Sequence, residues 1–143
     1  MYYELTDHFV VSADLARTWD FFSRADNLPL ITADAASELK IPLVSAAVGQ
    51  FDGQLGVFRG WEPDKPCYRC LVGNAPDRPD ASCADQGVLG ALTGVMGSLA
   101  AIETIRAIVP FGSDPAGSLL LIDALNFRFR TLSLPKDPGC RCA

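Results

Sequence analysis

Histidine is nearly missing: His8 is the only one in 143 residues. A lone imidazole on a predicted strand reads as a surface or satisfied side chain, and a Ser–His–Asp triad is not supported. Clustered positive charge is missing as well. The chain carries a net charge of −5 and a pI near 4.7, which argues against nucleic acid or an anionic membrane as partner. A basic partner surface is favoured only weakly. The opening "MYYELTDHFV" has no basic region followed by an apolar run, so no secretory leader is expected and a cytoplasmic setting is the default. The longest uncharged apolar stretch, Gly87–Ile102, falls short of the roughly 20 residues a spanning helix needs. Its glycines, serine and threonine suit close packing in a core instead. Internal repeats and low-complexity segments are also absent. With 49% apolar and 20% charged residues, the composition is that of a folded globular chain, and the length fits one domain or slightly more.

The coarse pattern alternates strands and helices. "ELTDHFVVS" has strand character. Ser12 is a plausible N-cap for "ADLARTWDFFSR", where Leu15, Trp19 and Phe22 share one helical face and Trp19, Phe21 and Phe22 read as core aromatics. Pro29 in "DNLPLIT" is expected to stop that helix, leaving Ala33–Lys40 as a short helical piece. "IPLVSAAVGQF" and "QLGVFRGW" read as strands turning around Asp52–Gly53. Lys65–Asp80 reads as a proline-rich loop. Val88–Val109 is the longest helix candidate, with Ser82 and Asp85 at capping-box spacing. Gly90, Gly94, Gly97 and Ala101 form a small-residue stripe, and bulky residues fill the other faces, so burial on nearly all sides is expected. Arg106 suits the negative end of the helix dipole. "GSLLLIDAL" and "FRFRTLSLP" then read as strands meeting near Asn126. Asp123 at the end of the first could be an active-site acid or, more simply, a turn acid.

Cysteine is where the sequence concentrates its chemistry. Four of the five cysteines form two close pairs, Cys67-x-x-Cys70 and Cys140-x-Cys142. In a reducing compartment such pairs are more often metal ligands than disulfides. Zinc takes four thiolates tetrahedrally, and two pairs from distant loops can each supply half the shell. The second pair is one residue shorter than usual, which makes joint ligation tighter. Four reduced thiols, or a disulfide or redox role, remain the alternatives. A thioredoxin-like site would place its C-x-x-C at the opening of a helix, whereas Cys67 is expected in a loop. Cys83 stands apart, a few residues before the long helix. It is either a reactive thiol favoured by the helix's partial positive charge or a non-essential loop cysteine.

The order of "PLVSAAVGQFDGQLGVFRG", "CYRC", "SCADQGVLGALTGVMGSLAAIETIR" and "PGCRC" resembles the C-terminal half of the ThiF/MoeB/HesA group, the ubiquitin-activating-enzyme-like adenylyltransferases, over residues 33–143. The resemblance implies an α/β fold: the C-terminal part of a Rossmann-like ATP-binding mixed-sheet domain with a zinc clip, preceded by a short strand–helix segment. It implies adenylation of the C-terminal glycine of a ubiquitin-like sulfur-carrier protein with ATP and magnesium. A sulfurtransferase and a homodimer or sister subunit are the further partners implied. Zinc would be held by Cys67, Cys70, Cys140 and Cys142. Cys83 matches a crossover-loop cysteine that in some members links to the carrier or takes part in sulfur transfer. The family's Gly-rich phosphate turn and its ATP- and magnesium-holding residues have no counterpart here, so the chain is expected to be inactive alone. A non-catalytic zinc module that docks a carrier or sister subunit is the alternative. Residues 1–32, "HFVVSADLARTWDFFSRADNLPLIT" above all, are instead similar to the opening of the START-like SRPBCC group, which binds apolar ligands. That likeness implies a junction near Thr32–Ala33 and gives a second alternative, an apolar-ligand-binding protein.

Overall fold

A computed structural model describes residues 28–73, 87–140 and 142. His8, Ser12, Leu15, Trp19, Phe21, Phe22, Ser82, Cys83 and Asp85 lie outside the described residues, and with them the expected N-terminal strand and helix.

The first described element is helix α1, Leu28–Glu38. It begins earlier than Pro29 led one to expect. Proline in the first turn removes an N–H that has no helical acceptor, and its fixed φ already suits a helix. Helix α1 therefore runs through Thr32–Ala33 without a break. It ends where Lys40 takes a left-handed φ of 55°, with the Ile41 N–H donating to the Ala36 carbonyl at 2.9 Å.

Strands β1 (Leu43–Val48), β2 (Asp52–Phe58), β3 (Ser118–Asp123) and β4 (Arg128–Ser133) form one sheet in that order. Every strand pair is antiparallel, where the family likeness implied part of a mixed sheet. A single parallel bridge joins Val57 to Ala116. Between β2 and β3 come the short helix α2 (Tyr68–Val72) and the long helix α3 (Gly90–Ile108).

The first hairpin does not turn at Asp52–Gly53. Val48 pairs with Gly53, and the Gly49 N–H donates to the Asp52 carbonyl at 2.7 Å across the three residues 49–51. Gly53 serves the helix rather than the turn, since a Cβ there would lie 2.7 Å from Met96 Sδ. The absent side chain lets α3 lie close on the sheet. The second hairpin turns near Asn126 as expected. Asp123 accepts from the Asn126 N–H at 2.9 Å and from its Nδ2 at 2.8 Å, an Asx-type turn. Asp123 is a turn acid.

Leu55, Leu92, Met96 and Ile122 form the core, flanked by Val44, Val48, Leu99 and Leu120. Burying each large side chain contributes about 1.5–3 kcal/mol. Helix α3 lies over β1 and β2, and only Leu92 and Met96 of it are buried. This corrects the expectation of burial on nearly all sides. Val95, Ile102, Ile105 and Ile108 are exposed, and a Cβ added at Gly90, Gly94 or Gly97 would meet nothing within 4 Å. The helix's two charged residues, Glu103 and Arg106, pair at 2.7 Å and are half-buried, as are Leu99 and Ala100. Leu89 occupies the N-cap position without a side-chain cap. By length and composition alone, α3's nineteen residues could cross a membrane. The sixteen-residue stretch under-counted it, because the helix continues through that ion pair. Strand β4 is exposed at all six positions, so Phe129 and Leu132, like Phe127 before them, are not core residues.

Candidate metal centre

Beyond Phe58 the chain turns through Arg59 and Gly60 toward the first cysteine pair. The Arg59 N–H donates to the Pro66 carbonyl at 3.2 Å, and Pro66 is fully buried. Cys67 is the N-cap residue of α2, with φ −91° and ψ 174°. The C-x-x-C thus does open a helix, contrary to expectation, though one of only five residues. The Cys70 N–H donates to the Cys67 carbonyl at 3.1 Å, and this single tight turn aims both sulfurs the same way.

The second pair arrives on the tail. Lys136 Nζ donates to the carbonyls of Gly60 and Glu62, both at 3.0 Å, and lays the tail along the loop that precedes Cys67. Asp137 then shapes a turn, accepting from the Gly139 N–H through its side chain at 2.8 Å and from the Cys140 N–H through its carbonyl at 3.0 Å.

The four sulfurs meet. Sγ–Sγ distances are 3.8 Å for Cys67–Cys70, 3.6 Å for Cys67–Cys140, 3.7 Å for Cys70–Cys142 and 3.4 Å for Cys140–Cys142. All four lie within 4.8 Å of one another, and all four cysteines are free thiols. A tetrahedron with Zn–S bonds of about 2.3 Å has S–S edges of about 3.8 Å. The donor set therefore fits one tetrahedral ion of the zinc type, and the short C-x-C spacing shows only as the closest of the four contacts. A closed shell of four sulfurs leaves no position for substrate, which is the pattern of a structural site.

Proton affinities in the cluster diverge, as they must when four like groups crowd together. Burial pushes the Cys67 thiol far up, helped by hydrogen bonding to Cys142. Burial also leads the rise of Cys142. For Cys140 burial acts upward too, but hydrogen bonds from the Cys142 main chain and from the thiols of Cys142, Cys67 and Cys70 outweigh it and hold it below the ordinary value. A divalent cation would relieve the repulsion that prevents four thiolates from coexisting.

The residues that hold this centre in place were not legible from spacing. A Cβ at Gly60 would lie 2.4 Å from the Cys67 Cβ and 2.9 Å from Ser37 Oγ, so glycine is required where helix α1, the β2 exit and the first ligand converge. Arg69, inside the C-x-x-C, donates from Nε to Asp34 Oδ1 at 2.8 Å and from a terminal nitrogen to Asp34 Oδ2 at 2.7 Å. This fork, with the nearby carboxylate charge, raises the Arg69 pKa further. Asp114 pairs with Arg59 and, at 3.1 Å, with Lys65. A charged residue between two cysteines hinted at Arg69. Nothing in the sequence pointed to Asp34, 35 positions away.

Comparison with known proteins finds relatives of one family. The ThiF family profile matches residues 23–142, beginning inside the segment likened to the START group. The sulfur carrier protein adenylyltransferase of Thermus thermophilus is 42% identical over 137 residues, covering 89% of this chain and 49% of that protein. The adenylyltransferase and sulfurtransferase MOCS3 of Bos taurus is 41% identical over 132 residues, covering 89% and 29%. The molybdopterin-synthase adenylyltransferase of Escherichia coli is 38% identical over 101 residues, covering 71% and 40%. The chain thus spans half or less of the length of these relatives. Among solved structures, the microcin C7 biosynthetic enzyme MccB in complex with N-formylated MccA shares the fold at a TM-score of 0.66 and 14% identity, covering 85% of this chain and 39% of that one. On the sequence match and the shared fold, the chain belongs to the ThiF family.

Proposed function

We propose that this chain supplies the metal-clipped, carrier-facing part of a ThiF-type adenylyltransferase that activates the C-terminal glycine of a ubiquitin-like sulfur carrier. The observation that carries the reading is the convergence of four thiols from two distant segments in a chain whose relatives are named adenylyltransferases. Zinc held by Cys67, Cys70, Cys140 and Cys142 would act structurally, clipping the tail to the β2 exit. ATP and magnesium are a different matter. No strand–Gly-rich turn–helix unit occurs among the described residues, so no step through the nucleotide is assigned to them. The nucleotide-holding residues would come from a sister subunit or from chain outside residues 33–143, the part likened to a C-terminal half. Residues 1–32 are kept as a separate START-like piece.

Cys83 is the thiol left over once four are committed to metal. Its proposed role is to form the covalent link to the carrier: a C–S bond forms at the activated carboxyl as the bond to the activating group breaks. The partners are the carrier, a sulfurtransferase and a second adenylyltransferase subunit, in the cytoplasm. The lack of a described nucleotide cradle favours a second reading, a non-catalytic module that docks the carrier.

ATP–pyrophosphate exchange with the carrier, with and without a full-length homologous subunit, separates the two. The chain alone should give no exchange above the blank, and adding it should raise the exchange of the full-length subunit. Carrier binding without any such rise leaves the module reading, and failure to bind the carrier at all sinks both. Brief iodoacetamide treatment followed by mass mapping tests Cys83. It should be labelled well before Cys67 in metal-loaded protein, and equal labelling counts against the assignment.

A further inference from the structure

Over residues 32–38, helix α1 meets the metal loop through small side chains. Among its residues 32–38, the side chains that line this contact are Ala33, Ala36 and Ser37, near Phe58, Gly60, Trp61, Cys67 and Tyr68. Of these three only Ala33 is buried, and an alanine contributes far less on burial than a leucine or phenylalanine. Hydrophobic contact from residues 32–38 is therefore slight. Two further contacts of this stretch lead to the cysteine centre. Ser37 lies over Gly60, which Cys67 abuts, and Asp34 receives the bidentate fork of Arg69. Arg69 sits in α2 between two of the four sulfur-bearing residues. The orientation of α2 is set by the hold of Cys67 and Cys70 on the tail's Cys140 and Cys142, together with the edge-on contact of Tyr68 with Phe58 at 5.4 Å.

The geometry points to Arg69 as a positioning residue that couples metal occupancy to helix α1: the ion fixes α2, α2 fixes the Arg69 fork, and the fork fixes Asp34. This rests on the four cysteines being metal ligands. An exposed ion pair ordinarily contributes little, but a bidentate arginine–carboxylate pair anchored at one end is the exception. Helix α1 is thereby a third member of the metal-dependent unit, beside α2 and the tail, while the sheet and α3 stand outside it.

Hydrogen–deuterium exchange of residues 28–38 tests the coupling in the whole chain, zinc-loaded and chelator-stripped, for wild type and Asp34→Asn, with metal content measured in each sample. Stripping the wild type should speed exchange of α1 by about fivefold or more, while peptides from β2 and β3 keep their protection. Loaded Asp34→Asn should keep its metal, already exchange fast in α1, and gain little more on stripping. Arg69→Lys, which keeps the charge and loses the fork, should behave as Asp34→Asn does. Equal acceleration on stripping in wild type and Asp34→Asn would mean an ion pair that stabilises α1 independently of the metal, and would overturn the coupling. So would unchanged α1 exchange after confirmed metal loss, metal loss from Asp34→Asn itself, or a loss of protection that spreads to β2 and β3. A wild-type chain that neither carries nor takes up metal overturns the coupling and the metal reading together.

Discussion

Strand β2 belongs to two regions built on different principles. At its first half, Gly53 and Leu55 meet α3 across an apolar core. Just past its end, Arg59 and Gly60 lead into the cysteine centre, where buried apolar groups such as Ala33, Phe58, Pro66 and Cys67 are few and the rest is largely thiols, main-chain carbonyls and ion pairs. The first region draws its stability from area removed from water. The second has little such area and depends on bonds that exist only when the ligands are assembled. A site absent from the unfolded chain makes its whole metal affinity available to folding. The apolar region should consequently respond to substitution in small steps and the cysteine region in large ones, and each should be breakable without the other.

Breaking the cysteine region should give the largest effect. Cys67→Ser should abolish metal binding, since Cys67 is buried and its sulfur stands 3.8 Å from that of Cys70 and 3.6 Å from that of Cys140. The loss to the local unit is on the order of 10 kcal/mol, read as release of the tail and of α2 to exchange and proteolysis. Cys142→Ser, at the half-buried end of the chain, should weaken binding less, because water can take the vacated position. Elemental analysis of protein purified without chelator decides it. Wild-type metal content well below one per chain, with four titratable thiols, would remove the basis for the comparison.

The graded region is probed at Met96, fully buried and touching Gly53. Met96→Ala should cost about 2–5 kcal/mol through the cavity it leaves, measured by urea unfolding, with metal content unchanged. Loss of metal in this variant would show that the two regions fold as one unit after all.

How much of this the sequence disclosed follows from the same division. The cysteine ligands were legible because short spacings such as C-x-x-C restrict where two sulfurs can go whatever surrounds them. The second hairpin was legible from Asp123 and Asn126, whose turn hydrogen bonds are local. Tertiary demands hid the rest. Asp52–Gly53 looks like a turn from its neighbours alone, yet Gly53 is small because α3 presses on it. Pro29 looks like a stop, yet its position in the first turn makes it a start. The apolar girth of α3 was clear, but composition does not say how many sides of a helix find a partner. Asp34 and Arg69, far apart in sequence, form a contact that no local pattern encodes.

Between the two regions lies Asp114, bridging Arg59 and Lys65, and it offers a pH-dependent test. Burial acts to raise its pKa, but the Ala116 N–H, Lys65 and Arg59 outweigh that and hold it below the ordinary 3.8. A lowered folded-state pKa contributes stability that is fully present above the unfolded value and is lost as pH falls through the folded one. Asp114→Asn should therefore be less stable than wild type at neutral pH, by under about 1 kcal/mol because the carboxylate is partly exposed. The gap should close only below about pH 4, where the unfolded-state carboxylate takes up its proton. A gap that persists at pH 2 would mean the side chain acts through packing rather than charge.

The smallest effect is expected on the outward face of α3, and it sharpens the comparison most. Ile105 is 55% exposed, and α3's two charges sit on the half-buried side, the reverse of an ordinary surface helix. If this face stands in water in the isolated chain, Ile105→Lys should change unfolding stability by no more than about 0.5 kcal/mol and should improve solubility. Leu92→Lys, between three and four turns away on the same helix but buried, should prevent folding by placing an unpaired charge in the core. The contrast between the two lysines measures how one-sided the helix is. A cost of several kcal/mol at Ile105, as large as a core substitution, would show that the outer face is covered in solution, and the apolar region would then extend past the single layer that Leu55, Met96 and Ile122 define.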